Sequence, residues 1–222
     1  MTIHYKYSTE QIPLELTLYV YNQSTDLSEH LEQTVLDKLS DQKEEVVLHT
    51  SFESTAVYVR LGEDAEKNRR LGAKVYNQIA TFKPSEVCLL GVHNRQFVEG
   101  VTLASYKFES LKTKEATPEI SFVFDEAYKT DLEELRVELT AVFWSRDLVN
   151  LPYSHLDTAT LEVNIVNRFK DTAINVQFLD KKQLEEGKFG GVLAVNKASA
   201  TEPRFGILEY KPKSHSNQKP IV

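Results

Sequence analysis

To do chemistry, a chain must bring histidines, cysteines, carboxylates or glycine-rich loops to one place, so their spacing is read first. The six histidines, His4, His30, His49, His93, His155 and His215, are scattered. None stands three or four residues from another and no HExxH helix occurs, so no two imidazoles share a helical face for a metal. The single cysteine, Cys88, lies inside the apolar run EVCLLGV (86–92), the setting of an inert core thiol and not of a nucleophile. A GxSxG elbow, a GxxxxGKS/T loop and a GxGxxG fingerprint are all absent. Gly190-Gly191 is the only glycine doublet, and a turn explains it as well as a ligand loop would. Acidic doublets occur at Glu44-Glu45, Asp125-Glu126, Glu133-Glu134 and Glu185-Glu186, but sequence neighbours diverge on a helix, so each reads as a solvated face. Asp147 draws more attention because it sits beside Arg146 near a change in pattern, where an exposed or junction-facing charge is the plain reading. Local spacing therefore assigns no catalytic residue, no cofactor-binding residue and no metal ligand.

The elements that would have to position any site come from the apolar periodicity. Of the 222 residues, 41% are hydrophobic and 27% charged, an ordinary globular mixture with room for one large domain or two small ones. No apolar run approaches the roughly 20 residues that cross a bilayer, and MTIHYKYSTEQ lacks the basic-then-apolar pattern of a signal peptide. One cysteine allows no internal disulfide, and with these features the expected compartment is the cytoplasm. A formal charge of −7 disfavours a nucleic-acid partner.

LELTLYVYN (14–22) reads as the first strong strand, followed by a helix capped by Asp26 or Ser28 that carries Leu31, Val35 and Leu39. Residues 45–62 read as a hairpin. Residues 63–82 form a helix with Leu71, Val75 and Ile79 on one side, stopped at Pro84. EVCLLGV suits a strand buried on both faces. Residues 94–108 read as a helix with Phe97, Val101 and either Leu103 or Tyr106 inward, and EISFVFD (119–125) as a strand. Thr130 and Glu133 form a capping-box signature for a helix whose stripe is Leu132, Leu135, Leu139, Val142, Phe143 and Val149, ended by Pro152. Beyond it, Asp157 or Thr158 caps a helix with Leu161, Ile165 and Phe169 inward. Strand 174–180, a short helix at KKQLEEGKF, an apolar turn-rich GGVLAVNKAS and strand 204–212 follow. Alternating strands and helices give an α/β class with a mixed sheet flanked by helices.

SRDLVNLP (145–152) resembles the linker helix of the cytosolic leucyl aminopeptidases, which are two-metal exopeptidases. LGAKVYNQIATFKPSEVCLLG (71–91) is similar to a helix and strand of that family's N-terminal domain. FVEGVTLASYKFESLKTK (97–114) resembles its next segment, with Phe97, Glu99, Gly100, Tyr106 and Phe108 matching. VQFLDKKQLEEGKFGGVLAVNKASATEPRFGILEYKP (176–212) resembles the opening of the catalytic domain. The likeness runs from residue 71 onward, and the first 70 residues are compatible with it.

The resemblance implies a macrodomain-like N-terminal domain over 1–131, a linker helix over 132–152 in which Arg146 and Asp147 anchor or solvate the junction, and a truncated beginning of the catalytic peptidase domain over 153–222. It implies a full-length parent that hydrolyses N-terminal residues from peptides with two divalent metals, zinc or manganese, and assembles as a homo-hexamer. The family's metal-binding lysine, aspartate and further carboxylates would lie past Val222. This chain alone is therefore expected to bind no cofactor, to show no activity and to serve in structure or assembly. A free-standing macrodomain-like ligand-binding module and a catalytically dead structural paralogue are the competing readings. Residues 1 to about 150 are expected to be the stable folding unit. The strands at 174–180 and 204–210 are expected to pair with strands beyond Val222, leaving Ile207, Leu208 and Ile221 uncovered and the 153–222 part prone to self-association.

Overall fold

Short runs rich in valine, isoleucine, leucine and tyrosine become six strands of one sheet in the computed structural model, which describes residues 3–10, 14–22, 37, 45–50, 54–113 and 119–211. The strands are β1 (Ile3–Ser8), β2 (Leu16–Tyr21), β3 (Val46–Thr50), β4 (Thr55–Arg60), β5 (Glu86–Gly91) and β6 (Ile120–Asp125), in spatial order β1-β6-β5-β2-β4-β3. All neighbours are parallel except β3 with β4, the expected hairpin. The sheet is thus mixed and mostly parallel, and its central strands are nearly continuous apolar runs, as strands covered on both faces must be.

Leu18, Val20, Val57, Val59, Val87, Leu89, Phe122 and Phe124 enter one buried cluster. Tyr19 and Tyr21 alternate to the opposite face, where Tyr21 joins Val47 and Tyr58 in a second cluster and Tyr19 stacks on Tyr58 at 5.1 Å. β1 escapes a reading by strand strength because its inward residues Ile3, Tyr5 and Tyr7 alternate with His4, Lys6 and Ser8.

Helix α1 (Ala65–Ile79) starts at Asp64, whose carboxylate accepts from the Lys67 N–H at 2.7 Å, and buries Leu71, Val75 and Ile79 as expected. A 3₁₀ turn (Ala80–Phe82) and left-handed Lys83 end it ahead of Pro84. Helix α2 (Arg95–Ala104) is capped by Asn94 and buries Phe97, Val98 and Val101. Tyr106 lies beyond its end. Leu31, Val35 and Leu39 of the expected helix, with its caps Asp26 and Ser28, lie outside the described residues, as does Ile221; Asp37, within that stretch, is helical.

Helix α3 (Lys129–Asn150) differs from expectation at its start and on its stripe. Asp125 caps a 3₁₀ turn (Glu126–Tyr128) that runs straight into the helix, so Thr130 is already helical. The Glu133 carboxylate accepts from Tyr7 and Arg136 instead of turning back to Thr130. Leu132, Leu135, Leu139 and Phe143 are buried, but Val142 and Val149 are exposed. The helix ends at Asn150, ahead of Pro152, as a proline stop requires.

The chain divides into two compact units between Asp147 and Leu148. In the second, Asp157 caps α4 (Thr158–Phe169), whose Leu161, Ile165 and Phe169 are half-buried. β7 (Ile174–Leu179), α5 (Lys181–Glu186), α6 (Gly190–Asn196) and β8 (Phe205–Tyr210) follow. Asp180 and Gln183 form a reciprocal capping box at the head of α5. One expectation is corrected here. GGVLAVNKAS is not a turn: Lys188, at φ 58°, reverses the chain, and the glycines open α6, where Val192 and Leu193 are half-buried. β7 and β8 pair with each other, antiparallel. The exposure expected of Ile207 and Leu208 is observed.

In the first unit, α1 and α2 touch backbone to backbone. A Cβ on Gly72 would stand 2.2 Å from the Phe97 carbonyl oxygen, and one on Gly100 would stand 1.9 Å from that of Arg69. Helix propensity alone would make Gly100→Ala stabilising by about 1 kcal/mol. Overpacking costs typically about 1–3 kcal/mol and sometimes more, and with rigid backbone as the obstacle at 1.9 Å the upper part of that range applies and exceeds the gain. Gly100→Ala should therefore lower the urea midpoint; a midpoint at or above that of the parent would show that the helices part without cost.

Candidate functional site

Ligands of open α/β sheets gather at the carboxyl ends of the parallel strands. There the chain leaves β5 through His93, Asn94 and Arg95, leaves β6 through Asp125 to Tyr128, and brings Tyr7 to the end of β1. These segments meet the first turns of α3. Asp131 accepts from His93 Nε2 at 2.7 Å through Oδ2 and from Arg95 Nη1 at 2.7 Å through Oδ1. Arg95 also donates to the Asp131 backbone carbonyl at 2.8 Å and to Glu138 at 2.8 Å. The His93 ring stacks on Tyr128 with centroids 4.3 Å apart. His93 Nδ1 is buried and has no hydrogen-bond partner among the described residues.

On the β1 side, Tyr5 hydrogen-bonds Thr102 at 2.7 Å, and Tyr7 donates to Glu133 at 2.8 Å. Burial pushes the Tyr5 phenol up to about 12, and burial with the nearby Glu133 carboxylate pushes Tyr7 higher still, so both remain protonated donors through neutral pH. Burial opposes the charge on Asp131, but the hydrogen bonds and charges of His93 and Arg95 outweigh it and hold the carboxyl below its usual range. The Glu133 carboxyl is likewise lowered, first by Arg136 and then by Tyr7. Every charged group in this cluster is matched to a partner in the same cluster. Among the described residues no nucleophile faces a base here, and both terminal nitrogens of the Arg95 guanidinium are engaged, so the arrangement braces the ends of β1, β5 and β6 against α3.

The other singled-out residues do not converge. His4 pairs with Glu119 at the far end of the sheet, His49 lies on β3, and His155 bonds Ser154. His30, His215 and Glu44 lie outside the described residues. Cys88 is buried in β5, and burial raises its thiol. Glu126 pairs with Lys129, and Glu186 lies 3.9 Å from Lys182. A Cβ added at Gly190 or Gly191 would meet nothing within 4 Å, so neither glycine marks a close approach. Arg146 and Asp147 bind within the first unit: Tyr106 donates to Asp147 at 2.8 Å, and the Arg146 guanidinium lies over the rings of Tyr106 and Phe143 while donating to the Leu103 carbonyl. Among the described residues, no group of three or more His, Cys, Asp or Glu side chains is placed to hold a metal. No helix among them is long and apolar enough to cross a membrane. Sequence reasoning noticed His93 but missed Arg95, Asp131 and Glu138, because 36 to 43 residues separate the partners and no local spacing marks them.

Residues 143–222 match the family model of the cytosol aminopeptidase family, catalytic domain. A probable cytosol aminopeptidase of Wolbachia pipientis wMel is 29% identical over 184 residues, covering 77% of this chain and 37% of that protein. One of Corynebacterium glutamicum is 28% identical, covering 72% and 33%. One of Chlorobaculum parvum reaches 42% over 74 residues, covering 33% and 15%. The chain thus spans about a third of the length of the first two relatives. Among solved structures, a tomato leucine aminopeptidase variant superposes with a TM-score of 0.68 at 17% identity, over 94% of this chain and 50% of that one. A bottromycin maturation enzyme in complex with manganese gives 0.71 at 18%, over 90% and 46%. At these identities the likeness of structure is one of fold.

Asp131 links stability to pH with a definite sign. Its folded pKa lies below the unfolded value, so its contribution is present above the unfolded pKa and is lost as pH falls through the folded one. With a side chain 41% exposed, solvent screening limits the pair to about 1 kcal/mol. Asp131→Asn should cost roughly that much at neutral pH, and urea titrations should show the gap to the parent closing as the carboxyl protonates; a gap unchanged by acid would remove Asp131 from the clamp.

Proposed function

We propose, on the premise that this chain belongs to the cytosol aminopeptidase family, that it is the N-terminal part of a leucyl aminopeptidase whose full-length form releases N-terminal residues from peptides. The observation that carries this reading is the family match over 143–222, which begins inside α3 and takes in the whole second unit. The sheet and helices of the first unit, with β3 antiparallel at one edge, support a macrodomain-like N-terminal domain. Helix α3 serves as the linker, held to the first unit by Arg146 and Asp147.

The family chemistry requires two divalent cations, zinc or manganese, which polarise the scissile carbonyl and activate a water when bound. The described residues do not fit that pair, because no cluster of suitable ligands forms among them. We derive no catalytic step from this chain and place the catalytic centre in the part of the relatives' length that it does not span. The role left to these residues is structural: they carry the N-terminal domain and the start of the peptidase domain into a homo-oligomer, a hexamer on the family pattern. A cytoplasmic location follows the relatives' naming as cytosol aminopeptidases.

The 222-residue chain should release no leucine from a leucyl amide substrate, with or without added zinc or manganese. The gene product extended by the remainder of the family's catalytic domain should be active under the same conditions. Metal-dependent turnover by the purified 222-residue chain would place a centre within it and overturn this reading.

A further inference from the structure

We draw no further inference here: the strongest candidate, the open groove beside β3 and the end of α1 lined by Leu48, Lys74, Asn77, Gln78, Thr81 and Phe82, carries none because nothing in the structure shows what covers it.

Discussion

Direct backbone contact between α1 and α2 sets the spacing of the first unit. With no Cβ at Gly72 or Gly100, the two helices approach until each glycine lies against a carbonyl of the other helix, and any side chain there would drive them apart. Several features follow from this closeness. Leu71, Val75 and Ile79 of α1 and Phe97, Val98 and Val101 of α2 reach the same buried cluster over the sheet. Arg69 comes within 3.0 Å of Glu99 across the helix pair. Because α2 cannot shift, Asn94, Arg95 and His93 are fixed at the carboxyl end of β5, and the clamp to Asp131 forms around them.

Much of this architecture was legible in the sequence, and the exceptions have physical reasons. The α1 stripe and the β5 run are long or apolar enough that local pattern decides them. β1 was invisible because its polar alternates, His4 and Lys6, make it look like a loop until β6 pairs with it. The start of α3 was misplaced because Thr130 and Glu133 satisfy a local rule that Asp125 and Tyr7 override in three dimensions. The α6 glycines look like a breaker, but they occupy the first turn, where a helix has fewest bonds to lose. The clamp at the sheet's carboxyl end was not legible at all, since its partners come from elements far apart in the chain. Charge matching of that kind is a property of the fold and leaves no mark in spacing.

The resemblance to the aminopeptidase family was carried by ordered segments and not by a motif, and the structure gives some of those segments a reason. Gly100 is a helix contact, while Tyr106 and Asp147 are joined by a hydrogen bond that holds the end of α3. Such positions govern how elements meet and reveal no chemistry.

Cys88 gives the sheet a built-in clock. Its thiol is 3% exposed in β5, between β2 and β6, and burial keeps it protonated and unreactive. A thiol reagent can reach it only when those strands separate, so labelling reports the opening of the sheet's centre, as a rate when modification outpaces reclosing and as an equilibrium when reclosing is faster. Because there is one cysteine in the chain, that signal comes from a single address and needs no engineered probe.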